Sequence, residues 1–204
     1  MVREPFLTHL ATAVPIEGVD VNTDQILPGR FMKRKREDYG QYLFYDLRHD
    51  SNGARTTVFP LDWKCHNGAS ILVCDHNFGC GSSREQAVHT LVDHGIRAVI
   101  APSVGEIFSN NCAKNGLVVV ILPDEAVATL RQAIQQEPHR PIWIDLPAQI
   151  TGLSQGPHFS FEFAPFAKEC LTRGLDEIEL TMSYLADIES FEARQAAPTS
   201  HTLL

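Results

Sequence analysis

The stretch Ala69-Ser70-Ile71-Leu72-Val73-Cys74-Asp75-His76-Asn77-Phe78-Gly79-Cys80-Gly81-Ser82-Ser83-Arg84-Glu85 contains a strand, a glycine turn and the start of a helix. Residues 69–74 form a short apolar run bounded by Gly68 and Asp75, the pattern of a strand buried on both faces. Gly79 and Gly81 then break the extended chain. From Ser82-Ser83-Arg84-Glu85 onward, Ala87, Val88, Leu91 and Val92 share one helical face. Gly95 closes that helix, because an αL residue at the C-terminus favours glycine.

The unit then recurs. Residues 96–101 predict a second buried strand ending at Pro102. Ser103 and Glu106 have the spacing of a capping box, so a helix is expected to open there. Val104, Phe108 and Cys112 line its inner face, and Asn115-Gly116 ends it. Residues 117–122 form a third apolar run, followed by a helix that Asp124 is expected to cap and in which Val127, Leu130 and Ile134 share a face. Three apolar strands, each followed by a helix, predict an α/β fold with a parallel core sheet and right-handed crossovers.

The flanks follow a different period. Phe159, Phe161 and Phe163 alternate with polar residues, as on a half-exposed antiparallel strand. Pro147 separates the extended run 142–146 from the next extended piece. Pro165 opens a short helix that Gly174 ends. Residues 1–204 are therefore expected to form one domain with an additional antiparallel layer, and a loose tail from about Ala196. A chain of 204 residues is within the usual range for one domain.

Composition narrows the function classes. With 17 basic and 25 acidic residues the net charge is −8, which disfavours a nucleic-acid partner. The basic run Lys33-Arg34-Lys35-Arg36 is followed at once by Glu37 and Asp38, so it reads as a solvated loop. No apolar stretch approaches a membrane span, and Met1-Val2-Arg3-Glu4-Pro5 lacks the layout of a signal peptide. The five cysteines, Cys65, Cys74, Cys80, Cys112 and Cys170, contain no Cys-x-x-Cys pair. Neither a self-contained metal or cluster site nor a disulfide framework is expected, and the chain reads as reduced and cytoplasmic. His76, His89 and His94 lack metal-ligand spacing, and Trp63 and Trp143 read as packing residues.

The loop between the first strand and its helix carries the chemistry. The first N–H groups of a helix have no intrahelical acceptor, and the helix dipole adds partial positive charge there. Gly79 and Gly81 allow a ligand to approach the backbone closely. Ser82 and Ser83, expected in the first helical positions, add hydroxyls, and Arg84 adds a fork that fits a carboxylate. The residues alone describe a carboxylate or phosphate site. The plainer alternative is a serine that only caps the helix and an arginine paired with a surface acid. No G-K-[ST] follows, so the loop is not a P-loop, and the dinucleotide G-x-G-x-x-G spacing fails at Arg84.

Asn77-Phe78-Gly79-Cys80-Gly81-Ser82-Ser83-Arg84-Glu85 closely resembles the N-F-G-x-G-S-S-R-E signature of the aconitase superfamily swivel domain, in the form found in separate isopropylmalate-dehydratase-type small subunits. Four further segments match in order. Residues 21–28 are similar to V-D-T-D-x-I-I-P, and residues 43–48 to L-F-x-D-x-R. Ala101-Pro102-Ser103 onward resembles A-P-S-F-x-x-I-F…N-x-L-L-P, and Gly174-Leu175-Asp176 onward resembles G-L-D-x-I-x-L-T.

The resemblance implies a swivelling β/β/α three-layer domain. It also implies a hydro-lyase that moves a hydroxyl between adjacent carbons of 2- and 3-isopropylmalate, as in leucine biosynthesis. In that chemistry a serine alkoxide removes the proton and an iron–sulfur (4Fe-4S) cluster takes the hydroxyl. Carried onto this chain, Ser82 is the base, and Gly81, Ser83 and Arg84 hold substrate carboxylate. Thr23 and Asp24 form a turn near the site or touch substrate. Arg30, Phe31 and Lys33 fall in the family's substrate-recognition loop, where Phe31, Leu43 and Phe44 suit an apolar pocket. The cluster is expected in a large partner subunit, with none bound here. Cys80, although inside the loop, is not expected to be a ligand.

This chain departs from the common pattern at Asn22 (aspartate is usual), Gln86 (histidine is usual) and 117–120 (L-L-P is usual). Those departures leave the base and carboxylate binder in place and leave the substituent on malate open, with homoaconitate, citramalate and dimethylmalate as alternatives. A non-catalytic anion-binding module is the remaining alternative. It would lose only about 1 kcal/mol of capping energy on Ser82→Ala.

Overall fold

A computed structural model describes residues 4–196. The expected loose tail, but for Ala196, lies outside them. Two four-stranded sheets form the framework. The parallel sheet, in the order β2 (Ala13–Ile16), β3 (Ile71–Cys74), β4 (Ala98–Ala101) and β5 (Val118–Ile121), contains the three strands expected from the repeated unit. The antiparallel sheet runs β1 (Thr8–Ala11), β6 (Ile142–Asp145), β7 (Ile150–Leu153) and β8 (His158–Ser160).

Helices α3 (Glu85–His94) and α4 (Glu106–Lys114) are the crossovers between β3, β4 and β5, and α5 (Asp124–Gln136) follows β5. Two one-turn helices, α1 (Thr23–Ile26) and α2 (Tyr45–Arg48), lie in the long connection from β2 to β3. Helices α6 (Pro165–Arg173), α7 (Glu177–Met182) and α8 (Leu185–Ala196) complete the described chain.

Each residue of β3 is buried, and alternate residues serve different cores. Ile71 and Val73 pack with Val127, Leu130 and Ile134 of α5 and with Ile142 and Ile144 of the antiparallel sheet. Leu72 and Cys74 pack with Val88 and Leu91 of α3 and with Phe108 and Cys112 of α4. The parallel sheet is thus the middle layer, with the antiparallel sheet on one side and α3 and α4 on the other. That is the β/β/α arrangement, and it explains why the strands read as unbroken apolar runs.

Strands β1 and β2 give no comparable signal in the sequence. They are separated only by Thr12, where the chain passes from one sheet to the other. Pro15 sits within β2, opposite Val73. It is tolerated because β2 is an edge strand of the parallel sheet.

Three expected helix starts are displaced. Helix α3 begins at Glu85 with Arg84 as its N-cap, so Ser82 and Ser83 precede the helix. The Ser103–Glu106 capping box does not form, and Gly105 is the N-cap of α4. Ser103 Oγ instead accepts the backbone N–H of Asn77 at 2.9 Å. Asp124 is the first residue of α5 rather than its cap, and its carboxylate meets His76 Nε2 at 2.5 Å. In the last two cases a side chain that could close its own helix is claimed by the loop after β3.

Candidate active site

That loop leaves the C-terminal end of β3, the end of a parallel sheet where ligands of open α/β folds gather. Its path is held largely by backbone bonds to neighbouring segments. Gly79 N–H donates to Val21 O at 2.7 Å, Thr23 N–H to Cys80 O at 2.9 Å, and Gly105 N–H to Phe78 O at 2.9 Å. Thr23, almost fully buried, donates its hydroxyl to Ser82 O at 3.0 Å and so anchors the serine from behind. Asn77 takes a positive φ of 58° and donates Nδ2–H to Asp20 at 2.7 Å.

Gly79 has two reasons to be glycine. Its φ is +73°, and a Cβ there would stand 2.3 Å from the Phe108 ring. Gly105, opposite it, would place a Cβ 2.7 Å from Gly79 O. The loop is therefore fitted against the start of α4 without side chains between them.

The result is a cleft of about 300 Å³ lined by Thr23, Gly81, Ser82 and Arg84 from the expected set. Ile107 and Glu106 at the start of α4 supply the opposite wall. These two were not anticipated, although they follow the Ala101-Pro102-Ser103 segment that the resemblance covers. Gly81 and Ser82 are exposed, and no side chain caps α3, so its first N–H groups remain available to an anion. Ser83 is exposed next to the cleft without lining it.

Arg84 pairs with Asp24, the remaining expected turn residue. The arginine side chain is 19% exposed and the aspartate 55% exposed, so the pair lies at the rim rather than in the core. Gly29 lies against both side chains, with a Cβ position 3.5 Å from Asp24 Oδ1 and 3.6 Å from Arg84 Nη1. The segment that carries Arg30, Phe31 and Lys33 thus begins against the guanidinium.

Arg30, Phe31 and Lys33 do not line the cleft. Arg30 makes a two-point contact with Asp46 of α2, and its guanidinium lies 4.6 Å from the centre of the Phe31 ring. Phe31 stacks on Tyr42 with ring centres 4.1 Å apart, and Lys33 is exposed. Leu43 and Phe44, expected beside Phe31 in an apolar pocket, are fully buried in the core and cannot reach a ligand.

The cysteines do not fit a metal cluster. Burial pushes the Cys74 and Cys112 thiols well above their ordinary pKa, whereas a cluster ligand is a thiolate. Cys80 donates its S–H to Asp20 O at 3.4 Å. Among the described residues no group of three His, Cys, Asp or Glu side chains is placed to hold a metal ion, and no helix is long and apolar enough to cross a membrane.

A family model described as the aconitase C-terminal domain matches residues 4–125. A 3-isopropylmalate dehydratase small subunit of Shouchella clausii is 44% identical over 95% of this chain and 98% of its own. One from Rhodospirillum centenum is 42% identical over 94% and 95%. The chain belongs to the 3-isopropylmalate dehydratase small-subunit family. A crystal structure of a 3-isopropylmalate dehydratase from Methanocaldococcus jannaschii, 26% identical, superposes with a TM-score of 0.65 over 90% of this chain and 99% of that one. The two chains thus share a fold.

Proposed function

We propose that this chain is the small subunit of a two-subunit hydro-lyase that interconverts 2-isopropylmalate and 3-isopropylmalate by dehydration and rehydration in the cytoplasm. One observation carries the reading: an exposed serine, Ser82, stands in a cleft just ahead of an uncapped helix start, two residues from a sheltered guanidinium.

Ser82 is the base. A serine hydroxyl gives up its proton only where the alkoxide is stabilised, and α3's first N–H groups and Arg84 supply positive potential there. The alkoxide takes the proton from the carbon next to a carboxylate, and the returning step delivers it again. Arg84 and the backbone at Gly81 hold a substrate carboxylate, with Ser83 at the margin. Asp24 already occupies the Arg84 fork from a half-exposed position, so substrate carboxylate replaces one rim contact by another. Thr23 keeps the Ser82 carbonyl in place. Arg30, Phe31 and Lys33, carried on the loop that starts above Arg84, complete the recognition of the substrate.

The large subunit closes over this cleft and would hold the 4Fe-4S cluster, which would supply a Lewis acid for the departing hydroxyl. The described residues, 4–196, form one swivel domain. The isopropyl form of the substrate follows the relatives' names, and a panel of substituted malates, including homoaconitate, citramalate and dimethylmalate, checks it. The direct test is to purify the chain with a cluster-bearing large subunit and follow the unsaturated intermediate by its ultraviolet absorbance. Turnover is expected only in the complex. Turnover by the isolated chain without iron would overturn the assignment.

A further inference from the structure

A second, larger cleft of about 730 Å³ opens at the other end of α3 from the catalytic loop, against the irregular segment between α2 and β3. Its walls carry Arg48, Arg55, Asp62, Trp63, Lys64 and His66. Arg48 is 2% exposed in its side chain and is held at three points. Its Nε–H and Nη2–H donate to Asp62 at 2.8 and 2.7 Å, and Nη1–H donates to Leu43 O at 2.9 Å. Arg55, 59% exposed, reaches the same Asp62 oxygen at 2.8 Å. Lys64 is exposed beside them.

Two guanidiniums therefore share one carboxylate, with Lys64 on the same cleft wall, in a chain whose overall charge is −8. Burial raises the Asp62 carboxyl from its ordinary range, with Arg55 drawing it back, so the counter-charge is itself held at a desolvation cost. His66 is 4% exposed, and its Nδ1 is buried with no hydrogen-bond partner among the described residues. Trp63, 43% exposed, lies over His66 with ring centres 5.9 Å apart and offers a flat apolar shelf.

We propose that this cleft is a second anion site, separate from the catalytic loop, which takes a small organic or inorganic polyanion through Arg55 and Lys64. The buried Arg48–Asp62 pair fixes the floor and sets the height at which Arg55 stands. Arg55 and Lys64 are the mobile clamps, since both reach solvent. A guanidinium and an ammonium together suit phosphate or paired carboxylates, and the excess positive potential is local to this face.

The test is titration of the full chain with pyrophosphate and, separately, citrate, by calorimetry at low and at physiological salt. Binding should weaken at least tenfold in the double variant Arg55→Gln, Lys64→Gln and several-fold in Lys64→Gln alone, which leaves the Arg55–Asp62 contact intact. Arg84→Gln should leave the pyrophosphate affinity unchanged. Citrate binding that outlasts pyrophosphate binding in the double variant would assign citrate to the catalytic cleft. The proposal is overturned if neither anion binds, if the clamp variants bind normally, or if Arg84→Gln abolishes pyrophosphate binding. It also fails if binding disappears once the large subunit is added, because the face is then a subunit contact.

Discussion

Two loops meet at the proposed active-site cleft and are built in opposite ways. The loop after β3, residues 76–84, is held by backbone bonds to Val21, Thr23 and Ser103–Gly105 and by glycines that admit no side chain. The stretch from Gly29 to Arg34 is tied to its surroundings by side chains: the Arg30–Asp46 clamp and the Phe31–Tyr42 stack, both near solvent. Backbone bonds and close packing have few alternative arrangements, whereas an exposed ion pair and a surface stack can open at small cost. A group that must abstract a proton needs the first kind of support. A group that must admit and release substrate is served by the second.

Substitutions can break this contrast in graded steps. Ser82→Ala should lower kcat of the complex by about 10²- to 10⁴-fold, the usual contribution of a positioned base. Its melting temperature should stay unchanged, because Ser82 precedes α3 and caps nothing. A comparable loss of stability would show the serine to be structural.

Gly79→Ala attacks the rigid loop itself. The added methyl meets Phe108 in a backbone region that disfavours side chains, so about 3 kcal/mol of stability should be lost. Thermal unfolding should show this as a fall of roughly 6–12 °C. A fall of less than a degree would mean that Phe108 swings aside and that the fit is looser than its geometry.

Arg84→Lys keeps the charge and removes the fork. KM should rise roughly ten- to a hundredfold with a smaller change in kcat. An equal loss in both would instead place the guanidinium mainly at the transition state.

Asp46→Asn probes the second loop and should be the mildest for the fold. The pair is half-exposed on both sides, so its loss should cost no more than about 1 kcal/mol. The pH dependence follows from the Arg30 guanidinium, whose hydrogen bonds hold the Asp46 carboxyl below its ordinary value of 3.8. A lowered carboxylate contributes its full stabilisation above that ordinary value and loses it as pH falls through the lower native value. The clamp should therefore persist at neutral and mildly acidic pH. A loss of the wild-type loop contacts by NMR above pH 5 would contradict it.

The legible part of the fold was the part with local causes. Runs of four to six apolar residues, punctuated by glycine, produced the three central strands and the helices between them. Gly95 and Gly174, both in the left-handed region at helix ends, closed their helices as expected. Strand β2 was not legible, because Pro15 argues against a strand unless its place at the sheet edge is known. Ser103 pointed to the wrong role for a related reason. Its spacing to Glu106 fits a cap, and only the arrival of Asn77 in space shows that the hydroxyl is already taken.

The sequence by itself determined the parallel α/β core, the glycine-rich loop at the end of its first predicted strand, and the family resemblance carried by Ser82, Ser83 and Arg84. Tertiary structure alone decided that Arg84 faces Asp24, that Ile107 closes the cleft, that Leu43 and Phe44 belong to the core, and that Arg48, Arg55 and Asp62 meet at a second cleft. Apolar period and turn chemistry act between near neighbours and leave a trace in the order of residues. Ion pairs and cleft walls join residues far apart along the chain, and their partners are chosen only when the layers pack.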